Sequence, residues 1–163
     1  MYKRQEIFSV TVEEIIKQLN MEIIYAPENI SSLVVTENDC NRPGLQLMGF
    51  YEYFNAERVQ ICGNMEFAYL ASLDEKTRYE RIDALFATKI PLFIVARGHE
   101  LYPEMVEIAK KYGVPIARTQ DSTTAFIAAL IGYLNVELAP RITRRSYRSI
   151  WRGYPYRGRE RRW

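Results

Sequence analysis

The seven residues from Ile90 to Ala96 (IPLFIVA) restrict the possible folds more than any other part of this chain. Successive side chains of a strand point to opposite faces, so a strand apolar at nearly every position must be covered on both sides. The run ends at Arg97-Gly98, where the chain must turn. It therefore predicts a central strand with helices on both faces, which is the signature of an α/β layer fold.

The flanking sequence supplies those helices. Thr11-Val-Glu-Glu14 has the reciprocal capping pattern, and Val12, Ile15, Ile16 and Leu19 follow at helical spacing. Glu22 to Tyr25 and Leu33 to Thr36 read as strands separated by a turn cluster at Pro27, Asn29 and Ser31, and are expected to pair as neighbours. Asn41 to Phe54 (NRPGLQLMGFYEYF) reads as irregular with one helical turn, because Pro43-Gly44 forces a bend. Arg58 to Asn64 (RVQICGN) is a buried strand breaking at Gly63, with Asn64 as the expected cap of a helix through Leu70. Asp74 is expected to cap the next helix, which carries Tyr79, Ile82, Leu85 and Phe86 on one face. Pro103 opens a helix that stops at Gly113, with Lys110 and Lys111 near its C-terminal end. Val114 to Ala117 is a further strand. Asp121 is the expected cap of a final helix facing Phe126, Ala129, Leu130, Tyr133 and Leu134 inward. The alternation predicts an α/β layered sheet with mixed, partly parallel strands flanked by helices.

Charge divides the chain at its end. The net charge is +2, but Arg144 to Trp163 holds eight arginines and one glutamate. The remainder has 14 basic and 19 acidic residues, a net of −5, which is a poor polyanion surface. We therefore expect one domain over residues 1–140 and an Arg/aromatic tail, disordered, over 141–163. Cys40 and Cys62 have no metal-ligand spacing, and two plain thiols suit a reducing, cytoplasmic setting. No apolar run approaches the roughly 20 residues of a membrane span, and the N-terminus has no apolar leader core.

No residue pattern in the body marks a catalytic centre or a metal site. His99 is the only histidine; lying in a Gly-His-Glu loop without a nucleophile or ligand partner, it reads as a surface residue. Open α/β sheets bind ligands beyond the carboxyl ends of their strands. Those ends carry Gly63-Asn64, Arg97-Gly98-His99 and Arg118 to Asp121, where helix-start amides with Arg97 and Arg118 could receive an anion. A ligand-sensing module would place the candidate residues Asn41, Arg42, Gly63, Asn64, Arg97 and Thr119 around a small anion or nucleotide. The competing interpretation is that these residues only cap helices and pair with nearby acids. Phe50, Tyr51, Tyr53 and Phe54 form a candidate interface, with a packed satellite core as the alternative.

Val35 to Leu73, containing NRPGLQLMGF and ERVQICGN, followed by IPLFIVARG and DSTTAFI…LNVELAPRIT, resembles the N-terminal domain of HPr kinase/phosphorylase. The likeness runs from about Val10 to Thr143. It implies a fold similar to the N-terminal domain of some Mur ligases, set before a catalytic domain that phosphorylates a serine of the phosphocarrier HPr and removes the phosphate by phosphorolysis. ATP or pyrophosphate with Mg²⁺ would serve that catalytic domain, and no cofactor is expected in this chain. The resemblance also implies a homo-oligomeric, hexameric parent acting in carbon catabolite regulation, with HPr as partner.

After LAPR-x-T the family pattern continues into a phosphate-binding loop, whereas this chain reads RRSYRSIWRGYPYRGRERRW. Taken from the second base of each codon, with synonymous codons allowed, the same stretch can spell GVLIEVYGEGILIEGESGVG. That string ends with the first six residues of a G-x-x-x-x-G-K-S loop. The tail is accordingly expected to be an out-of-frame product, and the chain to be inactive alone, since phosphoryl transfer needs the phosphate loop and its metal ligands. The alternative is an RNA-binding protein whose arginines contact phosphates while Tyr147, Trp151, Tyr154, Tyr156 and Trp163 stack on bases. For an out-of-frame tail such contact would be adventitious and strongly salt-dependent.

Overall fold

The structure is a computed structural model that describes residues 8–140. Expectations about residues 141–163 lie outside the described residues. Strands β1 (Val10–Thr11) and β3 (Val34–Val35) form a small antiparallel pair around helix α1 (Val12–Gln18). Thr11 caps α1 as its sequence predicts, with its hydroxyl accepting from the Glu14 amide at 3.2 Å. The main sheet comprises β2 (Glu22–Tyr25), β4 (Cys40–Asn41), β5 (Val59–Cys62), β6 (Phe93–Val95) and β7 (Ile116–Arg118). Its order is β2-β7-β6-β5-β4, with β4 to β7 all parallel and β2 antiparallel at one edge. Helices α2 (Gly44–Leu47), α3 (Asn64–Ala71), α4 (Glu75–Ala87), α5 (Pro103–Tyr112) and α6 (Thr123–Glu137) complete the layers.

The IPLFIVA run occupies the centre of the sheet and splits by parity. Leu92, Ile94 and Ala96 face α1 and α6, where they meet Ile15, Ile16, Phe126, Leu130 and Leu134. Phe93 and Val95 face the other way, toward Phe67, Leu70, Ile82, Leu85, Phe86, Met105 and Ile108 of α3, α4 and α5. Period-two alternation thus feeds two separate cores from one strand. A fully buried side chain of this size contributes about 1.5–3 kcal/mol by leaving water.

Several local expectations need correction. Residues 22–25 and 33–36 do not pair with each other. A tight hairpin uses a connection of about two to five residues; here the longer link from Ala26 contains a 3₁₀ turn over Ile30–Ser32, closed by the Ser32 hydroxyl on the Asn29 carbonyl. The turn carries Val34–Val35 to β1, while β2 joins β7, held there by a fork of Arg118 onto Glu22. Ser122, not Asp121, caps α6, its hydroxyl accepting from the Ala125 amide at 3.3 Å. Gly63, not Asn64, is the cap residue of α3. Ala129 lies on the exposed side of α6 and Tyr133 is only half-buried. Asp74 does stand at the cap position of α4, and Gly113 ends α5 in the left-handed conformation at φ 71° that glycine accepts without strain.

Candidate functional site

Four parallel strands end on one side of the sheet and deliver there the residues that follow them. Arg42 leaves β4 and forks onto Glu66 of α3, with Nε and Nη2 at 2.8 and 2.9 Å from the two carboxylate oxygens. The same carboxylate accepts from the Gly63 amide at 3.0 Å. Glu66 is the third residue of α3, so this is the returning half of a capping box whose cap has no side chain. Its side chain is 4% exposed against 37% for Arg42. Burial pushes the Glu66 carboxyl up, but the Arg42 bonds and the Gly63 amide outweigh it and hold the group below the usual carboxylate range.

Gly63 has a steric reason to be glycine. A Cβ there would run into the Thr123 hydroxyl and would stand 3.4 Å from Arg42 Nη2. Thr123 is the first residue of α6 and is 4% exposed, and its hydroxyl finds no hydrogen-bond partner among the described residues. The N-termini of α3 and α6 therefore meet at the Gly63–Thr123 contact, beneath the Arg42 guanidinium.

The next strand ends in the loop Arg97-Gly98-His99. Arg97 and Gly98 both have positive φ, at 56° and 63°, and their amides donate to the Asp121 and Thr119 carbonyls at 2.9 and 2.8 Å. A Cβ on Gly98 would strike Gln120. The Arg97 side chain is exposed and takes no partner among the described residues. His99 is half-buried and not a bare surface residue: its Nε2 lies 2.6 Å from Asn64 Oδ1, and its ring stacks on Phe67 at 4.6 Å. Phe67 stacks in turn near Tyr102, whose other neighbour is the Arg78 guanidinium, itself paired with Glu104 at 2.6 Å. Arg118 is committed to Glu22 and to the His99 carbonyl, which removes it from any anion site.

Of the six candidate ligand residues, Arg42, Gly63, Asn64 and Arg97 stand on the strand-end rim, while Asn41 and Thr119 turn inward. The Asn41 amide donates to Gln60 and Gln46 at 2.7 and 3.1 Å, and the Thr119 hydroxyl accepts the Asp121 amide at 3.2 Å. Glu66 and Thr123 are additions that the sequence reading missed. Glu66 had a legible signal, since it sits where a capping box for a helix beginning at residue 64 requires an acid. Thr123 had none, because its importance comes from a contact with Gly63 sixty residues away in sequence.

The aromatic cluster divides evenly. Tyr51 and Phe54 pack edge to face at 5.5 Å, with Phe54 against the core of α3, α4 and α5. Phe50 and Tyr53 face outward, Tyr53 at 97% exposure, and exposed Leu45 and Met48 belong to the adjoining α2. At the other end of the strands a hollow of about 280 Å³ is lined by residues including Leu33, Lys89, Pro91 and Tyr112. Lys89 is the single charged group on its wall, so the strand ends, with their converging polar groups, remain the better candidate.

Among the described residues no helix is long and apolar enough to cross a membrane, and no cluster of His, Cys, Asp or Glu has the makings of a metal site. The family model described as "HPr Serine kinase N terminus" matches residues 10–134. The HPr kinase/phosphorylase of Caldicellulosiruptor bescii is 46% identical over 137 residues, covering 84% of this chain and 44% of that protein. The HPr kinase/phosphorylase of Alkaliphilus metalliredigens is 45% identical over 135 residues, covering 83% of this chain and 43% of its own length. The chain thus spans less than half the length of the curated relatives it matches. A solved structure of the CBS and DRTGG domains of the regulatory region of Clostridium perfringens pyrophosphatase, complexed with the activator diadenosine tetraphosphate, aligns with a TM-score of 0.52 at 20% identity. That alignment covers 80% of this chain and 47% of the other, and the likeness is one of fold.

Proposed function

The chain belongs to the HPr serine kinase N-terminus family, and from that premise we propose that it is the accessory module of a cytoplasmic HPr kinase/phosphorylase. In this reading it serves assembly and regulation of an enzyme that acts on HPr, while phosphoryl transfer belongs to a catalytic domain encoded one reading frame over from residue 144 onward. The observation that carries the proposal is the extent of the match: identity near 45% spreads over the whole α/β unit and corresponds to about 44% of each relative.

The outward pair Phe50 and Tyr53, with Leu45 and Met48, is the surface that would contact another subunit or the catalytic half. Nucleic acid contact through the arginine tail is adventitious in this reading. Two measurements test it together. Purified chain with HPr and either ATP or pyrophosphate plus Mg²⁺ should yield no phosphoserine, and the gene's bases across codons 140–163 should spell a phosphate loop in the shifted frame. Phosphorylation of HPr by this chain, or bases that cannot encode the loop, would overturn it.

A further inference from the structure

Exposed apolar side chains are unevenly placed on this domain. Eight large ones stand exposed among the described residues, and four of them, Leu45, Met48, Phe50 and Tyr53, fall within nine consecutive residues. The backbone holds this segment in place. The Phe50 amide donates to the Leu45 carbonyl at 3.0 Å and the Phe54 amide to the Tyr51 carbonyl at 3.1 Å, while Tyr51 and Phe54 pack edge to face with Phe54 anchored in the core. A ring carried outward on such a fixed turn, as Tyr53 is, costs less ordering entropy when covered than one on a loose loop. Two charged side chains border these residues, and neither has an ion-pair partner among the described residues. Arg81 of α4 is half-buried and lays its guanidinium against Gly49, where φ is 96° and a Cβ would meet Arg81 Nη1. Glu52 stands exposed between Tyr51 and Tyr53.

We propose that this surface pairs with the same surface on a second copy of the chain about a two-fold axis, with Leu45, Met48, Phe50 and Tyr53 covered and Glu52 of each copy set against Arg81 of the other. The inference deepens the assembly reading above, on which it rests, by selecting one occupant for the surface named there. Charge selects the second copy. A two-fold axis exchanges the roles of any two residues in contact, so a patch that carries one unpaired acid and one unpaired base satisfies each of them twice over. A partner of a single sign would leave one of the two charges covered without a counter-ion. Four apolar side chains fall short of the roughly 20–30 residues a side of a standard interface, so the pair formed by this chain is weak, with a dissociation constant on the order of 10–100 µM.

The test is sedimentation velocity of the full chain from about 5 to 500 µM, where a monomer–dimer equilibrium should appear. Glu52→Arg brings like charges together at both symmetric contacts, and so does Arg81→Glu; each alone should weaken the dimer about tenfold or more. An equimolar mixture of the two variants has opposite charges at both contacts and should dimerise as well as the parent. Tyr53→Ser should also weaken the dimer while leaving thermal unfolding unchanged, because its ring is exposed. Should Arg81→Glu fail to fold, Glu52→Arg and Tyr53→Ser decide the matter, and a dimer that neither weakens defeats the pairing. It is equally defeated by a chain that stays monomeric throughout, by a mixture no better than either variant, or by a dimer lost only when residues 144–163 are removed. None of these results touches the family role, which the HPr assay and the gene's bases judge separately.

Discussion

Replacing Glu66 by glutamine isolates the charge at the centre of the strand-end cluster. The carboxylate accepts three bonds, from Arg42 Nε and Nη2 and from the Gly63 amide. Glutamine has one acceptor oxygen. Set in the Oε2 position, it keeps Nη2 and the Gly63 amide but turns its own NH₂ toward Arg42 Nε, placing donor against donor. One charge-assisted bond is lost and two are weakened, at roughly 1.5–3 kcal/mol for bonds to a charged group. Arg42 is 37% exposed and recovers some solvation, so the expected loss is about 2 kcal/mol. With a urea slope near ~2 kcal/mol per molar, the midpoint should fall by about 1 M. The pH dependence carries the sign. Because the folded-state pKa of Glu66 lies below its ordinary value, its contribution is complete above the unfolded carboxylate pKa of about 4.3 and fades as pH falls through the folded value. The gap between parent and Glu66→Gln should thus be widest at pH 7 and narrower at pH 3.5 in urea unfolding followed by circular dichroism. A gap under about 0.5 kcal/mol at pH 7, or one of equal size at both pH values, would refute this account of the fork.

Gly63→Ala should lower stability by about 1–3 kcal/mol through overpacking against Thr123. Thermal unfolding of the double variant Gly63→Ala, Thr123→Ala should recover part of that loss, and strict additivity would place the strain elsewhere. Burial, with Asp39 adding to it, pushes the Cys40 thiol up to about 11, and burial also raises the Cys62 thiol. Both should therefore react with a maleimide far more slowly in the native chain than in urea at pH 7.5, as read by mass spectrometry.

The layer architecture was legible because one strand announced it: IPLFIVA admits no half-exposed sheet, and its two faces appear as two cores. The helix from Pro103 to Gly113 was equally plain, since proline and glycine mark its ends by backbone restriction alone. Cap assignments slipped by one residue at Asn64 and Asp121, because neighbouring polar residues compete for the cap and only the chain path decides between them. The pairing of residues 22–25 failed for a different reason. The partner, Ile116–Arg118, is distant in sequence, and the Arg118–Glu22 fork that secures it leaves no local trace. At the strand ends, the positions of Gly63, Asn64, Arg97 and Thr119 were readable from the strand–helix breaks, but the two-residue strand Cys40–Asn41 that delivers Arg42 was too short to read and lay beside a segment taken as irregular. Asn41 looked free until Gln60, a polar residue inside an otherwise apolar strand, proved to face it.

Helix α6 connects two poles of the domain. Its fifteen residues span about 22 Å, with Thr123 against Gly63 at one end and Asn135 bonded to Asn38 near the other. A hydrogen-bonded rod of that length, seated along one side by Phe126, Leu130 and Leu134, transmits axial displacement with little compression. The two ends of one rod therefore stand against Gly63 and against the segment leading through β4 to Arg42, so that the Arg42–Glu66 fork is braced by α6 from both flanks.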